Sequence, residues 1–85
     1  MFKIAHGRKF VKSLSKLNKE DRKRVIEKIG LLQENPKHPS LNTHWNVKRG
    51  LWQSNISGRL RVLWDYGPEE NIITLVLVES HEIVE

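Results

Sequence analysis

The sequence predicts an α+β fold in which an N-terminal helical hairpin packs on a small, mostly antiparallel β-sheet, in the order β-α-α-β-β-β-β. Apolar residues recur at helical spacing as far as Asn35, and from Trp45 onward they alternate as they do in strands. The strands are joined by short connections, which are typical of antiparallel neighbours. For 85 residues we expect one domain, residues 1–85, with a modest core.

The first half begins with a short strand, Phe2–Ile4, which leads through Gly7 into a helix. Phe10, Leu14 and Leu17 follow at a spacing of i, i+4 and i+7, with lysines around them. This spacing places the three residues on one apolar stripe, which predicts an amphipathic helix.

A second, longer helix follows with almost no linker. Asn18 is of a residue type favoured at helix N-caps, and Asp21 three residues later gives a weak capping-box pattern. The Asn35-Pro36 pair ends the helix, because proline disfavours a helical conformation at the residue before it. The predicted buried face consists of Val25, Ile26, Ile29 and Leu32.

Four further strands are predicted after a polar loop that contains two prolines. The Arg49-Gly50 pair joins the first two of these strands as a hairpin. The last strand is apolar on both faces over most of its length, which indicates a central position in the sheet. The predicted strands are Trp45–Lys48, Leu51–Ser57, Arg59–Tyr66 and Ile72–Ser80, and a tail or strand end follows at 81–85.

Two arginines lie within the third of these strands. Strand alternation places Arg59 and Arg61 on one face and the apolar residues between them on the other, toward the core. Guanidinium groups suit the binding of phosphate. The alternative is that both are solvated residues in surface ion pairs.

The last strand supplies possible partners for these arginines. Alternation places Leu75, Leu77, Glu79 and His81 on one face. If that face is the open one, Arg59, Arg61, Glu79 and His81 meet near the strand ends, which combines phosphate binding with acid–base groups.

Other side chains are weaker candidates. His44 lies in a loop close to Lys48 and Arg49, although a loop histidine is commonly only a polar surface group. Trp45 is a candidate for base stacking, whereas Trp52 and Trp64 alternate with polar neighbours and are predicted to be core residues. The histidines lack the spacing of metal ligands and no acidic cluster is present, so we expect no metal and no cofactor.

Composition limits the partners and the compartment. Residues 1–37 carry eleven Lys or Arg against four Asp or Glu, a net charge of +7, whereas residues 38–85 have a net charge of −2. This basic half favours a polyanionic partner such as RNA or DNA, or an acidic protein.

There is no cysteine for a disulfide, and no apolar run is long enough for a signal peptide or a membrane span. We therefore expect a soluble cytoplasmic protein that does not contact a membrane.

The order of these segments resembles the RelE/ParE superfamily of toxins from bacterial type II toxin–antitoxin modules. The resemblance covers nearly the whole chain. Each segment alone matches the family only loosely, but the order and spacing of the segments together are fairly specific. The segments that carry it are Lys9–Leu14, Ile29–Leu32, Asn35-Pro36, Gly50–Ile56, Arg59–Trp64 and Ser80–Glu82.

The resemblance implies a partner antitoxin that wraps the toxin, and an endoribonuclease that cuts mRNA on the ribosome without a metal. It implies that Arg61 contacts the scissile phosphate and that His81 acts as general acid or base. Lys48 and Arg49 lie where RNA-contacting basic residues are common in the family, and Arg59 and His44 match only by their neighbourhood. These four residues are the predicted RNA-binding set.

Two alternatives remain open at this point. Many active members of the family end in a tyrosine shortly after the histidine, and Glu85 holds that place here. An attenuated toxin that acts mainly in an autoregulatory complex with its antitoxin is therefore one alternative. The other is a poison of DNA gyrase, because the ParE branch shares the fold but lacks the nuclease residues.

Overall fold

The computed structural model describes residues 1–80 and contains two helices packed on a five-stranded sheet. The predicted α+β class and element order are confirmed, with one 3-10 turn added at Pro39–Leu41. The elements are β1 (Lys3–His6), α1 (Arg8–Ser15), α2 (Lys19–Glu34), β2 (His44–Asn46), β3 (Leu51–Asn55), β4 (Leu60–Tyr66) and β5 (Ile72–Ser80).

The strands lie in the order β1-β5-β4-β3-β2. The four strands after the helices pair antiparallel with their sequence neighbours, as short connections require. β1 pairs parallel with β5, and the rest of the chain lies between the two strands in sequence. β5 is therefore paired along both of its edges, so it lies inside the sheet as predicted.

The helical hairpin covers one face of the sheet and forms the core with it. Phe10, Val25 and Leu32 of the helices are buried against strand residues such as Val62 and Trp64. Trp64 is fully buried and Trp52 packs against the same cluster, so both were correctly predicted as core residues.

Helix α2 begins and ends where its sequence predicts. The Asn18 side chain accepts a hydrogen bond from the Asp21 backbone N–H at 2.8 Å, which satisfies one of the free donors of the first turn. Asn35 is extended, with φ −154°, because Pro36 follows it.

The prediction that Ile26 belongs to the buried face of α2 was wrong. The side chain of Ile26 is 61% exposed, whereas Val25 is fully buried. Successive residues of a helix differ by about 100° in direction, and at this point of α2 Val25 faces the sheet while Ile26 points away from it.

A bulge interrupts the alternation of β5. Leu63 pairs with Leu77, but the next residue, Trp64, pairs with Leu75, so Val76 is the extra residue on β5. Leu75 consequently points into the core while Leu77 lies on the opposite face. The prediction that Leu75 shares a face with Leu77 and Glu79 was therefore wrong.

None of the helices within residues 1–80 has both the length and the apolar character needed to cross a bilayer.

Candidate functional site

The face of the sheet that the helices leave uncovered, called the open face below, is built by cross-strand pairing. Asn55 pairs with Arg61, and Arg61 pairs with Glu79, so these three side chains form one row. Directly paired residues share a face of the sheet. A second row on the same face contains His44, Gln53, Leu63 and Leu77.

Two arginines converge on one carboxylate at the edge of this face. Arg61 donates from Nε to Glu79 Oε1 at 3.1 Å, and its Nη2 lies 3.0 Å from the same oxygen. Arg49 donates from Nη2 to Glu79 Oε2. Both oxygens of Glu79 are thus engaged, and the local charge of the three groups remains positive.

The turn between β2 and β3 delivers Arg49 to this cluster. Asn46 Oδ1 accepts the Arg49 backbone N–H at 3.0 Å, and Gly50 closes the turn at φ +65°, a conformation that favours glycine. Asn46 also donates from Nδ2 to Gln53 Oε1 at 2.9 Å, which ties the two strands together beside Arg49.

A depression of about 170 Å³ lies beside Arg61 on the side of β3. Its lining combines amide, hydroxyl and guanidinium groups with backbone and a similar amount of apolar surface. The lining residues are Gln53, Asn55, Ser57, Gly58, Arg59, Leu60 and Arg61. Glu79 is not among them, so Arg61 stands between the depression and its carboxylate partner.

The prediction that Arg59 and Arg61 share one face of the sheet was wrong. β4 begins at Leu60, because a tight turn precedes it in which Ser57 Oγ accepts the Leu60 N–H at 3.2 Å. Arg59 lies in this turn, and its Nη2 reaches Asp21 Oδ2 of α2 at 3.4 Å. Its side chain is 61% exposed, so the ion pair contributes little to stability. Arg59 borders the depression while its guanidinium turns toward the helices.

Comparison with known proteins identifies the fold. No protein-family model matches the sequence, and no curated protein matches it significantly. Among solved structures, a metal-bound toxin from Helicobacter pylori is 27% identical, with a TM-score of 0.76 over 95% of this chain and 96% of that one. A YoeB/ParE toxin from Agrobacterium tumefaciens is 8% identical, with a TM-score of 0.77 over 95% and 100% of the chains. The archaeal RelE of a RelE–RelB complex from Pyrococcus horikoshii is 17% identical, with a TM-score of 0.74 over 94% of both chains.

This chain has the RelE/ParE toxin fold.

Within the RelE/ParE fold, the other predicted site residues are only partly brought together. His44 lies on the open face and is exposed, and its Nδ1 is 2.9 Å from the Asn42 carbonyl oxygen. Lys48 is exposed in the turn next to Arg49. Trp45 pairs directly with Trp52 and so lies on the helix-covered side, which contradicts base stacking at the arginine face. His81 lies outside the described residues.

The sequence did not reveal every feature of the open face. Alternation placed Glu79 on the open face, but nothing in the sequence indicated that Arg49 would reach it from a turn. Gln53 and Asn55 of the depression were also missed, although their alternation on the strand before Arg61 was a usable signal. Within residues 1–80, no three His, Asp or Glu side chains lie close enough together to hold a metal ion.

Proposed function

We propose that this protein is the toxin of a type II toxin–antitoxin module and that it inhibits translation by cutting mRNA on the ribosome, without a metal cofactor. The observation that carries this proposal is the position of Arg61, half-buried on the uncovered sheet face beside a depression lined in part by amide, hydroxyl and guanidinium groups. The similarity in fold to toxins, including a RelE solved with RelB, supports the toxin role.

The chemistry that suits this arrangement is attack by a ribose 2′-hydroxyl on the neighbouring phosphate. The 2′-oxygen forms a bond to phosphorus as the bond to the 5′-oxygen breaks. A general base takes the proton of the hydroxyl, and a general acid gives one to the leaving oxygen. Arg61 stabilises the charge on the phosphorane, since a fixed guanidinium aimed at that charge acts strongly. His81 is proposed as general acid or base.

The remaining predicted residues are proposed to bind RNA. Arg49 stands beside Arg61 through their shared carboxylate, and His44 lies along the same face. Lys48 extends the basic turn toward solvent, and Arg59 flanks the depression. These contacts act mainly on the phosphate backbone and place the cleaved bond beside Arg61.

We also propose an antitoxin partner in the cytoplasm that holds the toxin inactive. It either covers the open face or displaces the terminal segment. The archaeal RelE with this fold was solved as a complex with RelB, which supports a protein partner for this chain.

The test is induction of the wild type and of R61A and H81A in cells, followed by primer extension on mRNA. We expect new mRNA 5′ ends and growth arrest with the wild type, and loss of both with either variant. Circular dichroism melting checks that each variant folds. Intact mRNA with altered DNA supercoiling and double-strand breaks would instead establish a gyrase poison.

A further inference from the structure

We propose that Glu79 is a positioning residue that holds Arg61 and Arg49 in the orientation needed to bind the scissile phosphate. This inference rests on the proposed nuclease function. It assigns a role to a carboxylate at the centre of a cationic site, where a negative charge alone would repel RNA.

The hydrogen bonds define what Glu79 does. Arg61 donates a hydrogen bond from Nε to Glu79 Oε1 and keeps Nη2 in ion-pair contact with the same oxygen, which leaves its Nη1 for another acceptor. Arg49 uses Nη2 on the other carboxylate oxygen. A guanidinium carries five N–H donors in a planar fork, so fixing one edge also fixes the direction of the rest.

The place of Glu79 favours positioning over competition with RNA. Glu79 pairs with Arg61 from β5, whereas the depression lies on the β3 side and Glu79 does not line it. A phosphate in the depression therefore meets Arg61 from the side opposite the carboxylate and does not need to displace it. Glu79 is also largely buried, with 18% of its side chain exposed, which limits its motion.

The consequence is a separation of binding from turnover. Replacing Glu79 by glutamine removes a negative charge beside the RNA, which favours binding at long range. The amide offers only one acceptor oxygen, and its NH2 group cannot accept from the second arginine. One guanidinium is then free to rotate, and a misplacement of about 1 Å is enough to slow a reaction strongly.

The experiment measures single-turnover mRNA cleavage on programmed ribosomes over a range of toxin concentrations. For E79Q we expect the rate at saturating toxin to fall about 10-fold or more, with an unchanged or lower half-saturating concentration. E79D keeps two acceptor oxygens and is expected to be faster than E79Q.

The matched control is D65N, which removes one negative charge from β4 without touching either arginine. Asp65 lies four residues from Arg61, about 13 Å along the strand, and accepts only a local bond from the Tyr66 N–H among residues 1–80. We expect wild-type rates for D65N. An E79Q rate equal to or above that of the wild type, or E79D slower than E79Q, would overturn the inference.

A second readout does not depend on cleavage. In ¹⁵N-labelled protein, the Arg61 Nε–H and Arg49 Nη2–H resonances are expected to be protected from solvent exchange in the wild type and in D65N. In E79Q at least one of the two is expected to lose protection, because the amide has a single acceptor oxygen. If the wild type does not cut mRNA, the nuclease proposal fails. If it does and both guanidinium resonances are equally protected in E79Q, only the positioning role fails.

Discussion

Arg61 shows how far a single residue can be understood from its sequence neighbours. Alternation with Leu60 and Val62 correctly placed it on the open face, because those two residues are buried in the core. The same rule failed for Arg59, since Ser57 closes a tight turn that ends before Leu60. The turn is held by the Ser57 hydroxyl and by backbone hydrogen bonds from the Ile56 and Ser57 N–H groups to the Leu60 carbonyl oxygen. These contacts leave no trace in the apolar pattern.

The first prediction at this scale concerns the shape of the Arg61 side chain. Lysine at this position keeps the charge but has a single nitrogen, which cannot bond Glu79 and reach the depression at once. If Arg61 acts as a fixed fork, R61K should lose about 10²–10³-fold in cleavage rate, close to the loss for R61A.

Single-turnover cleavage on programmed ribosomes measures this loss, with the melting temperature as a check on folding. An R61K variant that keeps a third or more of the wild-type rate would show that charge alone is sufficient.

At the scale of elements, the sequence predicted both α-helices and all five strands of residues 1–80, but not the 3-10 turn at Pro39–Leu41 or all of the strand faces. Helix ends were predictable because Asn18 and Pro36 act locally on the backbone. The bulge at Val76 was not, because it depends on how β5 fits β4 in the folded sheet. It redirects Leu75 into the core and leaves Glu79 on the open face opposite Arg61.

Helix α2 provides a matched test of its packing. Val25 is fully buried and Ile26 is 61% exposed, although they are neighbours of similar type. V25A removes two buried methyl groups and should lower the free energy of unfolding by about 2 kcal/mol. I26A should change it by less than about 0.5 kcal/mol.

Urea denaturation of the two variants and the wild type measures both values. Equal losses would mean that α2 packs through a wider stripe than the structure shows.

At the scale of the whole molecule, charge and chemistry are divided between the two layers of the fold. Residues 1–37 have a net charge of +7 and include both helices, whereas the open face belongs to the sheet. The basic helices therefore lie on the side of the molecule opposite Arg61. Under the nuclease proposal, the helices contribute to long-range attraction to the ribosome and the open face to the reaction.

This division predicts a salt effect on association that is separate from the effect on the reaction. Three exposed lysines belong to the helical layer, away from the open face: Lys12 on α1, Lys16 at the C-cap of α1 and Lys23 on α2. Replacing all three by glutamine should weaken binding to ribosomes. The slope of log affinity against log salt concentration should become shallower by up to about one for each lysine that contacts a phosphate. The cleavage rate at saturating toxin should stay within about two-fold of the wild type, since none of the three lysines touches the open face.

The control is a variant with arginine at the same three positions, which keeps the charge and should keep the salt dependence. An unchanged salt dependence in the glutamine variant would mean that the basic helices do not bind the ribosome, and that the attraction comes from the sheet alone.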